Sequence, residues 1–151
     1  MMDAVIMKIS RGDFPVKMFF IEATGFSMWP FLRPGDGLIC RQTPCNMLKT
    51  GDIIVYRDKD LKISHRIRGK MITKEGCMLY TRGDNASGPC DVIAGADIEG
   101  KVVAVTRGGK TKFYDSLLGA AANKAALFSA PLLRISFRVA YGVLSYIKRF
   151  V

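Results

Sequence analysis

The sequence predicts a mainly β fold, a set of coiled sheets or a partial barrel, followed by amphipathic helices at the C-terminus. Three observations predict it. Short apolar or alternating runs recur between Val16 and Val105, at the period and length of strands. Turn formers separate them, at Pro34-Gly35-Asp36, Gly51-Asp52, Arg82-Gly83-Asp84-Asn85 and Gly108-Gly109. Beyond residue 114 the turn formers thin out, and Ala, Leu and aromatic residues take over. The chain has 151 residues, 49% of them hydrophobic and 10% aromatic, enough to build one packed core.

In order, residues 1–13 read as a short lead-in. A first strand comes next, in the run from Val16 to Gly25. Further strands fall at Gly37–Cys40, Asp52–Tyr56, Ile63–Ile67, Met78–Thr81 and Lys101–Val105. The organisation is a β-rich domain over 1–113 and a basic helical segment over 114–151. In that segment Asp115 or Ser116 caps a first helix, and Pro131 ends it and opens a second. At about 100° per residue, Lys124, Arg134, Arg138, Lys148 and Arg149 share about a third of the helical circle. Leu132, Leu133, Ile135, Val139, Val143 and Ile147 lie elsewhere on it. The pattern allows two readings: the segment lies in an anionic membrane interface, or it packs on its own β-domain with a solvated charged stripe.

The net charge of +10 calls for an anionic partner, either nucleic acid or acidic lipid. The N-terminus has charges too early for a secretory leader, and no window of about 20 uncharged apolar residues exists to span a bilayer. Peripheral attachment to a membrane is therefore expected, with a cytoplasmic location as the alternative. The four cysteines, Cys40, Cys45, Cys77 and Cys90, form no C-x-x-C pair, and His65 is the only histidine. No metal and no cofactor is expected; reduced thiols packed as small hydrophobes are, with a disulfide as the alternative if the domain faces an oxidising space.

The residues that carry chemistry begin at Gly25-Phe26-Ser27-Met28-Trp29-Pro30, continuing into Phe31-Leu32-Arg33-Pro34-Gly35-Asp36. A serine just after a glycine turn exposes its hydroxyl and its backbone N–H together, and Pro30 and Pro34 stiffen the segment on its C-terminal side. Serine is a weak nucleophile near neutral pH and needs a neighbouring base. His65, in the strand-like Lys62-Ile63-Ser64-His65-Arg66-Ile67, is the only imidazole available. A base in turn needs a carboxylate to fix its tautomer. Asp84, in a Gly-Asp-Asn turn, and Asp91, at the start of the next stretch, both qualify.

These blocks resemble those of the type I signal peptidases and the related self-cleaving repressor proteases. Gly-x-Ser-Met-x-Pro with Gly-Asp after it is similar to their nucleophile box. Gly51-Asp52-Ile53-Ile54-Val55-Tyr56 resembles the strand before the general base. Ser64-His65-Arg66-Ile67 looks like the branch that uses histidine instead of lysine, found in archaea and the endoplasmic reticulum. Thr81-Arg82-Gly83-Asp84-Asn85, with Asp91 after it, and Gly100-Lys101-Val102-Val103 resemble its last two blocks. The likeness covers roughly residues 16–106. It implies a serine endopeptidase that removes signal or leader peptides through an acyl-enzyme. Ser27 would be the nucleophile, His65 the base, Asp91 the orienting carboxylate and Asp84 a supporting residue. The partner implied is a precursor peptide bound as an extra strand, not a nucleic acid. Two other classes remain: a regulator like the self-cleaving repressors, and a peptide-holding domain without activity. The family's N-terminal membrane anchor has no counterpart ahead of Ser27, so either the basic C-terminal segment docks the protein or it acts on soluble substrates.

Overall fold

The computed structural model describes residues 17–115, 119, 121 and 123–129. The expected lead-in and the second C-terminal helix lie outside the described residues. Eight strands form one antiparallel sheet: β1 Met18–Glu22, β2 Gly37–Arg41, β3 Ile53–Asp58, β4 Leu61–Ile72, β5 Cys77–Arg82, β6 Asp91–Ala94, β7 Ile98–Arg107 and β8 Lys110–Phe113. Their order is β1-β2-β7-β3-β4-β5-β6, with β8 paired to β7. Short 3₁₀ turns occupy Cys45–Met47 and Gly95–Asp97. The mainly β expectation holds, and the sheet is coiled without closing into a barrel.

Why the sheet coils is legible in β3. Ile53 and Val55 belong to one apolar cluster, with Met28, Leu32, Leu38, Cys40, Val102, Val105 and Tyr114. Ile54 and Tyr56 belong to the other, with Leu48, Ile67 and Leu79. Successive side chains of a strand point to opposite faces. A strand apolar at four successive positions, as β3 is from Ile53 to Tyr56, is therefore covered on both sides there. Coiling wraps the sheet around the first cluster. It brings β1 back toward β4, so that the Lys62 ammonium stands 5.6 Å from the centre of the Phe19 ring. Every pairing along the path from β1 to β4 is antiparallel; with three strands between them, β1 and β4 run in the same direction.

Two strands have no counterpart in the sequence pattern. β6 has only four residues, too few to show a period. β8 is exposed along its whole length and exists because Gly108 and Gly109, at φ +53° and +75°, make the left-handed two-residue turn that joins hairpin strands. β4 also runs further than expected. A bulge between Ile67 and Gly69 interrupts the alternation that would have revealed its second half.

The cysteine expectation is corrected in part. Cys45 and Cys77 form a disulfide across 32 residues of sequence, with Cα atoms 6.2 Å apart, while Cys40 and Cys90 are free. Spacing along the chain carries no information about this pair, because the 3₁₀ turn at 45–47 and the start of β5 meet only when the sheet forms.

Tyr114 belongs to the first apolar cluster. Residues 123–129 are helical, with Asn123 and Ala126 buried and Lys124 exposed. Asn123 Oδ1 accepts a 3.0 Å bond from Arg66 Nη1, and the Leu127 carbonyl accepts one from Arg68 Nη1 at 3.3 Å. The described part of the segment thus packs on the β-domain. No described helix is long and apolar enough to cross a membrane.

Arg66 is fully buried, so the donors left by a lost partner have no water to turn to. Asn123→Ala is expected to lower unfolding free energy by about 1–3 kcal/mol. Asp84→Ala, which leaves the buried guanidinium without its counter-ion, is expected to cost about 3–5 kcal/mol. Chemical denaturation of the two variants checks both values and their order.

Candidate active site

The turn that carries Ser27 is held from three directions. Asp36, buried beneath it, accepts from the Arg33 backbone N–H at 2.7 Å and from Arg107 Nε and Nη2 at 2.6 Å each. That pins residues 33–36 to β7. Met28 is buried in the first cluster, while Ser27 itself is exposed. From above, Asn85 donates its backbone N–H to the Ser27 carbonyl at 2.7 Å and its side-chain amide to the Phe26 carbonyl at 3.3 Å. Gly83 packs directly on Ser27. A Cβ there would lie 2.5 Å from the Ser27 carbonyl oxygen and 3.0 Å from its Cβ, so only glycine fits. The Gly83-Asp84-Asn85 turn therefore has two jobs, and neither contact with Ser27 is visible to sequence reasoning.

His65 sits on β4 opposite Ile54 of β3. Its Nδ1 lies 3.1 Å from Asp91 Oδ2 and 3.1 Å from the Tyr56 hydroxyl, which donates to the same Asp91 oxygen at 3.2 Å. With Asp91 ionised, the acceptor is the carboxylate and the Nδ1 proton points to it. The lone pair is then on Nε2, the tautomer a general base needs. Burial and the Asp91 charge push the Tyr56 phenol up to about 12, so it keeps its proton and remains a donor. Sequence reasoning places Tyr56 only as a strand residue. Its position beside His65 comes from strand pairing, which no local pattern announces.

Of the two carboxylates left open by the residues themselves, Asp91 meets the imidazole. Asp84 makes no hydrogen bond to it. Asp84 Oδ1 accepts from Arg66 Nε at 2.9 Å and Arg68 Nη2 at 2.8 Å, and Oδ2 accepts from Arg66 Nη2 at 2.7 Å. Its side chain is fully buried. Arg66 also donates to the Gly51 carbonyl at 2.8 Å and stands 5.1 Å from the Phe31 ring. Asp84 thus braces β4 and the segment after Ser27.

Ser27 and β4 share a cleft of about 430 Å³. One wall is Ile21–Gly25, the other Asp60–Ser64, and Met28 and Leu32 form part of the floor. Among the described residues, each wall includes an unpaired strand edge. There β1 pairs only with β2. Residues 61–65 of β4 pair only with β3, because pairing with β5 begins at Arg66. Ser64 lines the cleft beside Ser27, whereas His65 does not. No hydrogen bond joins Ser27 Oγ to His65 among the described residues, and His65 uses only Nδ1 in its bonds. The chain matches none of the protein families and none of the curated proteins with which it was compared.

Burial lowers the His65 pKa below its ordinary 6.5; the Asp91 charge and hydrogen bond pull it up, Asp84 adds a further upward pull, and burial wins. The folded state therefore resists protonating this ring. The stability it contributes is present above about pH 6.5 and is lost as pH falls through the lower folded value. As the only histidine, His65 gives a single pair of imidazole ring-proton resonances in a proton NMR titration. Its midpoint is expected below 6.5, and lower still in Asp91→Asn.

Proposed function

We propose that the chain is a serine endopeptidase that cleaves a signal or leader segment from a precursor, with Ser27 as nucleophile, His65 as general base and Asp91 orienting the base. The observation that carries this reading is the bonded His65–Asp91 pair on the strand whose free edge walls a cleft containing Ser27. An extended peptide entering that cleft meets unpaired backbone groups on both sides, the chemistry of strand addition.

The steps come from the groups present. His65 Nε2 takes the Ser27 proton as the hydroxyl oxygen attacks the peptide carbonyl. The imidazolium so formed is stabilised by Asp91, which also keeps the ring from turning. The Ser27 backbone N–H is offered to the oxyanion, a donor of a kind worth about 3 kcal/mol in such sites. The imidazolium then protonates the leaving amine. Water, activated by the same nitrogen, releases the acyl group and restores the serine. The reading requires Ser27 Oγ to come within hydrogen-bond reach of Nε2 when a peptide fills the cleft. Catalytic bonds of this kind are often loose in empty sites and tighten with substrate.

That same missing bond favours one second reading, a peptide-holding domain without activity. The regulator reading gains nothing further from the site. For attachment we propose that residues beyond 129, with Arg134, Arg138, Lys148 and Arg149, hold the protein on an anionic membrane surface. A cut after residue 113 would remove Tyr114 from the core, so a cut after 129 is the informative one. Vesicles rich in phosphatidylserine should float the full chain and not residues 1–129. Equal flotation removes the membrane reading.

Candidate precursors incubated with wild-type and variant protein and read by mass spectrometry decide between cleavage and holding. Ser27→Ala and His65→Ala should each abolish the cut while thermal unfolding stays cooperative. Gly83→Ala, which pushes on the Ser27 backbone, should slow it by about 100-fold, the effect of a shift on the order of 1 Å. Cleavage retained in Ser27→Ala sinks the assignment. Peptide bound but never cut by wild type establishes the holding domain.

A further inference from the structure

Asp91 is the weakly held member of the group around His65. It opens β6, a strand of four residues at the end of the sheet order, paired only with β5 among the described residues. Its side chain is 53% exposed, against 13% for His65. Water therefore competes for the carboxylate, and an ion pair this open holds a fixed geometry only weakly. Among the described residues its side chain has two hydrogen-bond partners, His65 Nδ1 and the Tyr56 hydroxyl, and both meet Oδ2.

Tyr56 is held far more firmly. It is buried in the second apolar cluster with Leu48, Ile54, Ile67 and Leu79. Register places it beside the base: His65 stands opposite Ile54, and Tyr56 is two residues along β3 on the same face. The two rings meet edge to face, with 5.9 Å between centres and 63° between planes. The Tyr56 oxygen, His65 Nδ1 and Asp91 Oδ2 then form a triangle with sides of 3.1, 3.1 and 3.2 Å. The hydroxyl has one proton to give. Given to the carboxylate, it makes the stronger, charge-assisted bond, and its oxygen turns a lone pair toward Nδ1. Given to Nδ1, it would force the ring proton onto Nε2 and leave no base there.

We propose that Tyr56 is a positioning residue: its hydroxyl ties Asp91 to the core beside His65 and thereby keeps the ring proton on Nδ1. The inference rests on the reading of Ser27, His65 and Asp91 as catalytic groups and adds the residue that aims the third. Tyr56→Phe keeps the buried ring and removes only the clamp. Asp91 is then free to swing into water, and the ring proton divides between Nδ1 and Nε2. Burial lowers the His65 pKa, and Asp91 and Asp84 oppose it. Losing the pull of Asp91 lets burial move the midpoint further below 6.5, in the same direction as Asp91→Asn.

The test is nitrogen NMR of the full-length protein, isotope-labelled in its only histidine. Above the titration midpoint, wild type should show two well-separated ring nitrogens, with Nδ1 the protonated one. In Tyr56→Phe the two signals should draw together and the midpoint should fall. Ile67→Val, a mild core change in the same cluster, separates the clamp from general loosening and should move neither. Cleavage of candidate precursors, followed in parallel by mass spectrometry, should slow about tenfold in Tyr56→Phe, the loss of one hydrogen bond to a partly exposed charge. A mixed tautomer already in wild type overturns the inference. So does a single tautomer retained in Tyr56→Phe, an equal change in Ile67→Val, or undiminished cleavage. A tautomer lost in Tyr56→Phe, with no precursor cut by wild type, retains the clamp and removes the peptidase reading.

Discussion

The Arg66 guanidinium has no exposed surface, and the described architecture near the cleft is arranged around its charge. Taking such an ion out of water costs several kcal/mol, recovered only when its donors are matched. Four parts of the chain supply that match: Asp84 from the turn after β5, the Gly51 carbonyl before β3, Asn123 from the C-terminal helix and the Phe31 ring after the serine turn. These are the pieces that must be in register for a site between β4 and the serine turn to exist. His65 is the adjacent residue on the strand, and Gly83, which packs on Ser27, is the neighbour of Asp84. One buried ion pair thus sets the positions of residues on both sides of the candidate chemistry.

The coil of the sheet does a second thing. A flat sheet in this order would leave β1 and β4 far apart, with three strands between them. Coiling around the first apolar cluster turns their free edges toward each other and leaves a slot where a closed barrel would have its last hydrogen bonds. Unpaired edges are a liability unless covered or used. Here the slot has an apolar floor at Met28 and Leu32 and an exposed serine in its lining. The proposed strand addition and nucleophilic attack would both draw on this unclosed gap.

How much of the site is legible in the sequence varies with the kind of information each residue carries. Ser27 stands out because a glycine turn and the prolines after it are a local signal, and the turn is where that signal places it. His65 stands out because it is the only imidazole. The choice between Asp84 and Asp91 is not legible from the residues, since both are acids near turns. It depends on β6 pairing with β5, which sets Asp91 opposite Thr81, and on the two arginines that occupy Asp84. Tyr56 and Gly83 are hidden for the same reason: their partners are distant in sequence, and nothing local marks the contact.

The sequence by itself determined the strand-rich class and the positions of most strands and turns, and it singled out Ser27, His65, Asp84 and Asp91 as candidates, because alternation, turn chemistry and residue type are local properties. Tertiary structure alone decided which carboxylate meets the imidazole and which cysteines join. It also decided that part of the segment beyond residue 113 belongs to the core, and that β1 and β4 face each other across a gap. Those are outcomes of burying one charge and coiling one sheet. Both are set by the whole chain at once, because the free energy of a buried group depends on everything packed around it.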